Sequence, residues 1–267
     1  MITIKEYVMP KNIDKAYEYL ISKKNSMIFG GGAFIRMGSK NIALGIDLSK
    51  ANLRYINEQD NKIEIGAMAT FGDIERSEIL KRFSGGILSI AIKDIVGIQL
   101  RNIVTLGGTV YSRYGFSDLI TALLALDAKV KLYKGGVRTL EEFLENGSKS
   151  KDILEKVIIS KTDGFSVFKS MRNSKGDYAI LNLAISKVDG KYRIAIGARP
   201  QRAIISSQAM DFLNKNQIND KAIEKASNIL ASETVFGSNS RGSSKYRHEI
   251  SKVLFKRAIE EVMANEN

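Results

Sequence analysis

The stretch Leu100-Arg-Asn-Ile-Val-Thr-Leu-Gly-Gly-Thr109 contains the second of two glycine turns in this chain, and the first is Gly30-Gly31-Gly32. Each turn follows an apolar run that is typical of a strand. Because glycine has no Cβ, it adopts backbone angles that other residues avoid and lets the main chain approach a ligand closely. Successive N–H groups in such a turn form a concavity suited to phosphate oxygens. Two such turns predict a split binding site for a diphosphate cofactor.

Neither of the two common nucleotide-binding motifs fits the first turn. A Rossmann fingerprint, Gly-x-Gly-x-x-Gly, would need its third glycine where Ile35 stands. A P-loop needs Gly-x-x-x-x-Gly-Lys-Ser/Thr, but Gly32 and Gly38 are one residue too far apart and Ser39-Lys40 follows in reversed order. Taken by itself, the triple glycine also fits a tight turn between a strand and a helix.

The composition is typical of a globular protein. Of the 267 residues, 44% are hydrophobic and 26% are charged, and no apolar run is long enough to predict a membrane span. The amino terminus has neither the apolar core nor the cleavage site of a secretory signal, which predicts a cytoplasmic location. Because the sequence contains no cysteine, it excludes disulfides, thiolate-bound zinc and an iron–sulfur cluster held by this chain.

The net charge of +12 allows several classes of partner. Basic proteins bind nucleic acids, acidic membranes or acidic subunits, but the lysines here are dispersed. The densest basic cluster, residues 241–257, is typical of the solvent face of a helix. Since no RNA-recognition or zinc-finger pattern is present, we expect no specific nucleic-acid binding. The single histidine, His248, is predicted to be a surface residue of that helix without a catalytic role.

Hydrophobic periodicity predicts an α+β chain with a boundary near Asp163-Gly164. Before it, short strands and helices alternate, and Thr70 with Asp73 forms a predicted capping box at the start of a helix. After it, three consecutive strands are predicted over residues 165–172, 178–187 and 192–198. Helical segments follow these strands. Strands followed by helices are typical of an α+β domain with helices on one face of its sheet.

A longer stretch around the second turn resembles a known family. The stretch Gln99-Leu-Arg-Asn-Ile-Val-Thr-Leu-Gly-Gly-Thr-Val110, with Ser117-Asp118-Leu119 and Leu123-Leu-Ala-Leu-Asp-Ala128, is similar to the FAD-binding subunit of the molybdenum hydroxylases. That group contains xanthine dehydrogenase and carbon monoxide dehydrogenase. The first turn resembles the family's Gly-Gly-Gly-Thr-Asp-Leu loop. Together with Ile65-Gly-Ala67 and Tyr246-Arg247, these matches extend the resemblance over essentially the whole chain.

The resemblance implies a fold in two parts. Residues 1–163 would form an FAD-binding domain of the vanillyl-alcohol-oxidase or PCMH type, with subdomains at about residues 1–56 and 57–163. Residues 164–267 would form a smaller α+β domain like the C-terminal domain of the carbon monoxide dehydrogenase flavoprotein, with a three-stranded antiparallel sheet and helices.

The resemblance also implies an oxidoreductase function. The chain would be the electron-transfer subunit of a heteromeric complex. Electrons from a partner's iron–sulfur clusters would reduce FAD and leave to NAD⁺ or another acceptor. The molybdenum cofactor would lie on a large partner subunit and the 2Fe-2S clusters on a small one.

The family motifs assign residues to the cofactor site. The first loop, which would wrap the FAD diphosphate, consists of Ile28, Phe29, Gly30, Gly31, Gly32, Ala33, Phe34 and Ile35. The segment facing it consists of Thr105, Leu106, Gly107, Gly108 and Thr109. Asp118 would hydrogen-bond the ribityl or diphosphate region, Ile158 would pack near the rings, and Lys169 would approach the flavin. Val96 is a further candidate, and we predict no catalytic residue and no metal ligand in this chain.

Four of these residues also fit purely structural roles. Asp118 fits a helix cap, and Lys169 fits an exposed position on a strand. Thr105 fits a strand, because its side chain is β-branched, and Ile158 fits a core position. Both interpretations of each residue stay open from the sequence alone.

The sequence departs from the family pattern at several positions. Ala33 and Phe34 stand where the family commonly has polar residues, which leaves binding to backbone N–H groups. Thr109 replaces the usual Asn, and residues 111–116 replace a stretch of small residues. Two alternatives therefore remain: a free-standing flavin oxidoreductase, or a partner-binding module that has lost FAD.

Overall fold

The computed structural model describes residues 1–265, in which strands and helices alternate along the chain. The strands are β1 (Thr3–Val8), β2 (Ser26–Phe29), β3 (Asn41–Asp47), β4 (Ile56–Gln59), β5 (Lys62–Gly66), β6 (Lys129–Leu132), β7 (Gly136–Thr139), β8 (Leu154–Ser160), β9 (Gly164–Met171), β10 (Leu181–Val188), β11 (Lys191–Gly197) and β12 (Ile204–Ile205). The helices are α1 (Ile13–Ser22), α2 (Phe71–Arg76), α3 (Glu78–Arg82), α4 (Ile87–Ile92), α5 (Ile98–Arg101), α6 (Leu106–Ser112), α7 (Asp118–Ala125), α8 (Leu140–Asn146), α9 (Ser207–Lys215), α10 (Asp220–Glu233) and α11 (Ser244–Ala264). Within the described residues, no helix combines the length and the apolarity needed to cross a bilayer.

The chain forms two compact units, each assembled from three segments. Unit 1 consists of Met1–Ile74, Gly97–Ser112 and Lys129–Ile159. Unit 2 consists of Glu75–Val96, Arg113–Ala128 and the chain from Ser160 onward. The division along the chain at residues 163 and 164 stays a prediction.

Unit 1 contains two sheets. In the first, β1 and β2 both pair parallel with the central strand β3, and α1 covers this sheet with Ala16 and Leu20. In the second, the strand order is β4-β5-β8-β6-β7. Because β2 runs parallel to β3, the first glycine turn leaves the sheet at its carboxyl edge, where parallel sheets commonly bind ligands.

The predicted capping box of α2 is confirmed. The Thr70 N–H donates to Asp73 Oδ2 at 2.9 Å, and the Asp73 N–H donates to Thr70 Oγ1 at 3.1 Å. The helix ends at Arg76. The next residue, Ser77, instead caps α3, since its side chain accepts a hydrogen bond from the Leu80 N–H.

Unit 2 is built on an antiparallel sheet in the order β12-β11-β10-β9. The sequence predicts its three longer strands and misses β12, which has two residues. Side chains on successive strand residues point to opposite faces. On one face, Leu183 and Ile185 pack with α9, α10 and α11; on the other, Asn182 and Ser186 bond to α7. Both faces therefore carry helices, where the sequence predicts helices on one.

The capping box makes the stability of unit 1 sensitive to acid. Burial raises the pKa of the Asp73 carboxyl, but hydrogen bonds from Arg54 and Thr70 outweigh it and lower this pKa to about 2. A carboxylate whose pKa falls on folding stabilises the fold above its unfolded pKa, and this stabilisation is lost as the pH drops toward the folded pKa.

We therefore expect Asp73→Asn to destabilise the protein by about 1–2 kcal/mol at pH 7. The difference in stability between the variant and the wild type should disappear between pH 4 and pH 2, as measured by thermal unfolding. Asp60→Asn, a change at an exposed turn residue of unit 1, is the control and should leave the pH dependence of the stability unchanged. If the stability difference between Asp73→Asn and the wild type stayed constant down to pH 2, the capping box would not account for the acid sensitivity.

Candidate functional site

The first glycine turn presents three backbone N–H groups that have no protein acceptor. These are the N–H groups of Gly31, Gly32 and Ala33, which donate to no oxygen in the described part of the chain. The φ angles of Gly31 and Gly32 are 74° and 71°, in the left-handed region that glycine favours. Successive N–H groups of this kind form an anion-binding concavity.

Thr105 joins the two glycine segments through its side chain. Its Oγ1 donates to the Gly30 carbonyl oxygen at 3.0 Å and accepts from the Gly108 N–H at 3.1 Å. Thr105 is 2% exposed and forms an isolated antiparallel bridge with Thr70. The alternative of a simple strand residue is therefore incomplete, because the hydroxyl itself determines the distance between the two segments.

The glycines are required by close approach as well as by backbone angle. A Cβ on Gly31 would lie 1.8 Å from the Ile103 carbonyl oxygen, and one on Gly107 would lie 2.7 Å from the Cβ of Ala67. Both distances are far below van der Waals contact. The main chains around the two glycine segments therefore touch directly, which no other residue type allows.

The prediction that Gly107-Gly108 forms a turn with exposed N–H groups is wrong. Both residues lie in the first turn of α6. The N–H groups of Leu106 and Gly107 donate to the carbonyl oxygens of Ala69 and Ala67, at 2.9 Å and 2.8 Å. Those of Gly108 and Thr109 donate to Thr105. This segment supports the first turn, and the Ile65-Gly-Ala67 motif supplies the backbone on which it rests.

The other predicted residues of unit 1 differ in burial. Phe29 and Ala33 are 9% and 7% exposed, and Ile28, Phe34 and Ile35 are half-buried. The Phe29 ring lies beside the turn, 3.8 Å from the position that a Cβ on Gly32 would take, whereas Ile28 packs against the core of the first sheet.

Ile158 is not a core residue. It is half-buried on β8, whereas its neighbours Val157 and Ile159 are completely buried on the opposite face. The core alternative for Ile158 is therefore wrong, and its contact with the cofactor stays a prediction.

In unit 2, Asp118 does not cap its helix. Ser117 is the cap of α7, since its Oγ accepts from the Ile120 N–H at 3.3 Å. Asp118 is 3% exposed and is held by two side chains that the sequence analysis missed, Arg172 at 2.6 Å and Asn182 at 2.5 Å. Burial raises the pKa of the Asp118 carboxyl, and the Arg172 guanidinium opposes that rise. No local sequence signal marks Asn182, which lies 64 residues away.

Lys169 is not simply an exposed strand residue. It forms an ion pair with Glu261 of α11 and lines a cavity of about 330 Å³ within unit 2. The cavity is also lined by Lys93, Asp94 and Arg172, so its wall carries both signs of charge.

Val96 has a strained backbone. Its φ is 48°, although it is β-branched, and it is 58% exposed. Such conformations cost of order 1–3 kcal/mol and concentrate at functional sites. Its role at the cofactor stays a prediction.

The motif Tyr246-Arg247 has a structural explanation. Arg247 is completely buried and donates to the carbonyl oxygens of Ile180 and Gly237 at 2.8 Å and 2.9 Å. It thereby joins the loops that precede β10 and α11. The neighbouring His248 is half exposed on α11, beside Glu249, as predicted for a surface residue.

Two family models match the chain in succession. Residues 3–161 match the FAD binding domain in molybdopterin dehydrogenase, and residues 166–262 match the CO dehydrogenase flavoprotein C-terminal domain. The chain belongs to the family of FAD-binding domains of molybdopterin dehydrogenases. The predicted family, the α+β fold class, the oxidoreductase class and FAD as the cofactor are thereby confirmed.

Known relatives match over nearly their whole length. The glyceraldehyde dehydrogenase medium chain of Sulfolobus acidocaldarius is 25% identical, over 96% of this chain and 97% of its own. The nicotine 6-hydroxylase medium subunit of Paenarthrobacter nicotinovorans is 27% identical, over 97% of each. A chain of a copper- and molybdenum-containing CO dehydrogenase, 21% identical, shares the fold with a TM-score of 0.90 over 99% of both chains.

The close approach at Gly31 can be separated from the effect of its φ angle. Gly136, also in unit 1, has a φ of 70° and open space around the position of a Cβ. We expect Gly136→Ala to destabilise the protein by about 1 kcal/mol and Gly31→Ala by about 3 kcal/mol, measured by denaturant unfolding. Equal losses would show that the backbone beside Ile103 moves freely and that the contact carries no constraint.

Proposed function

We propose that this chain is the electron-transfer subunit of a heteromeric molybdenum hydroxylase. Electrons arrive from the 2Fe-2S clusters of a small partner subunit and leave from FAD to NAD⁺ or another acceptor. The molybdenum cofactor belongs to a large partner subunit. We place the complex in the cytoplasm and expect it to bind no specific nucleic acid.

The observation that carries this proposal is the set of N–H groups in the first glycine turn. The Gly31, Gly32 and Ala33 N–H groups, which donate to no oxygen in the described part of the chain, would donate hydrogen bonds to the negatively charged oxygens of a dinucleotide diphosphate. Thr105 holds the turn in place through the Gly30 carbonyl. When bound, FAD supplies single-electron and hydride chemistry, so the chain's own residues need to bind and orient it.

The same observation favours a working flavoprotein over a module that has lost FAD. Ala33 and Phe34 remove side-chain donors but leave the backbone N–H groups of the turn in place. The N–H groups that would bind the diphosphate are therefore still present, although these two side chains differ from the family pattern.

Two further observations support the heteromeric complex over a free-standing enzyme. The sequence contains no cysteine, so iron–sulfur clusters have to be supplied by partners. The relatives reported above are named as the medium chain or medium subunit of a dehydrogenase or hydroxylase. Their names refer to different substrates, and we therefore assign no substrate to this complex.

Cofactor binding is tested by Thr105→Val, which keeps the shape of the side chain and removes its two hydrogen bonds. We expect FAD affinity, measured by quenching of flavin fluorescence, to fall about tenfold, because the first turn loses its support. Thr139→Val removes a comparable hydroxyl in unit 1, the cap of α8, and should leave FAD affinity unchanged. Absence of saturable FAD binding by the wild type, alone and with its partners, would overturn the proposal.

Electron transfer is tested in the complete complex, isolated with its partner subunits. After reduction by a stoichiometric amount of dithionite, the iron–sulfur clusters should be reoxidised by an added acceptor such as NAD⁺ in the FAD-containing complex and not after FAD is removed, which visible absorbance detects. Adding FAD should restore the reoxidation. Equally fast reoxidation in the FAD-free complex would show that electrons leave by another route.

A further inference from the structure

Asp118 in unit 2 is a buried carboxylate held from two sides. Its Oδ2 accepts from Arg172 Nη2 at 2.6 Å, and its Oδ1 accepts from Asn182 Nδ2 at 2.5 Å. Each carboxylate oxygen can accept two hydrogen bonds. One acceptor position therefore remains on each oxygen after the protein contacts are made.

The amide of Asn182 is itself oriented from behind. Asn182 is completely buried, and its Oδ1 accepts from Thr121 Oγ1 at 2.8 Å. Because the hydroxyl donates to the amide oxygen, the amide nitrogen is directed at Asp118. Gly197 on the next strand leaves space for this arrangement, since a Cβ there would lie 2.1 Å from Thr121 Oγ1.

The guanidinium of Arg172 is oriented as well. Its Nη1 donates to the carbonyl oxygen of Asp177 at 2.6 Å, and the Asp177 carboxylate accepts from Arg241 Nη2 at 3.0 Å. Arg172 therefore presents a fixed edge to Asp118, and its side chain is only 10% exposed.

A purely structural role explains this network poorly. The helix needs no cap from Asp118, because Ser117 caps it. Burying a charged pair costs desolvation energy, and well-packed apolar residues of the same volume stabilise a fold at least as well. A carboxyl group oriented by two donors at the start of a helix, with acceptor positions remaining, is instead suited to binding hydroxyl or N–H donors of a ligand.

We infer that Arg172 and Asn182, with Thr121 behind it, are positioning residues that hold the Asp118 carboxylate in the orientation in which it accepts hydrogen bonds from the FAD. This inference rests on the proposed function. It assigns no new contact with the cofactor, because these three residues act through Asp118.

The test measures FAD affinity of the full chain in its complex for five variants: Asp118→Asn, Arg172→Met, the double variant, Arg172→Lys and Thr121→Val. We expect the two single changes to Asn and Met to weaken FAD binding about tenfold each, and the double variant to bind no more weakly than Asp118→Asn alone. Arg172→Lys keeps the charge and should recover part of the affinity. Thr121→Val, which keeps its shape, should weaken binding about threefold.

A matched control lies at the other end of the same helix. Arg193 of β11 donates to the Leu124 carbonyl oxygen at 2.8 Å and pairs with Asp127 at 3.1 Å, so it holds α7 without touching Asp118. Arg193→Met should lower thermal stability and leave FAD affinity unchanged. Thermal unfolding of every variant identifies those that fail to fold. If Arg172→Met fails to fold, the FAD affinities of Arg172→Lys and Thr121→Val test the inference instead.

The outcomes separate the inference from the function on which it rests. A wild-type complex that binds no FAD overturns the proposed function. Normal FAD binding by Asp118→Asn overturns the inference and leaves the proposed function standing. A tenfold loss on adding Arg172→Met to Asp118→Asn also overturns it, because Arg172 then acts independently of the carboxylate.

Discussion

The hydroxyl of Thr105 is the contact on which the candidate site of unit 1 depends. It donates to the Gly30 carbonyl oxygen and accepts from the Gly108 N–H, so one side chain determines the separation of two segments that lie 75 residues apart. The glycines permit this approach, and the hydroxyl makes it specific. With Gly30 held in this way, the N–H groups of the next three residues remain available to an anion.

The two glycine segments have different roles, although the sequence makes them look alike. The first is an open turn at the carboxyl edge of a parallel sheet. The second begins a short helix whose N–H groups are used within the protein. A candidate binding site and the segment that supports it can thus contain the same residue type, since glycine serves both an open backbone and a close contact.

In unit 2, the alternation of side chains along β10 separates two functions of one strand. Leu183 and Ile185 build the apolar core against the C-terminal helices. Asn182, between Leu181 and Leu183, points to the other face and reaches Asp118 on α7. A strand whose residues are nearly all buried therefore contributes both to the core and to a polar network.

The family, the fold class, the capping box of α2 and the first glycine turn could be predicted from the amino-acid sequence. The capping box and the glycine turn are local features, because a cap needs two residues three positions apart and a turn needs glycine at positive φ. Two further findings depend on tertiary contacts: Thr105 bridges the glycine segments, and Arg172 and Asn182 hold Asp118. Those contacts join residues between 54 and 75 positions apart, or depend on which neighbour a carboxylate meets in space. Sequence periodicity carries no information about such partners, because it reports which face of an element is buried and not what lies against it.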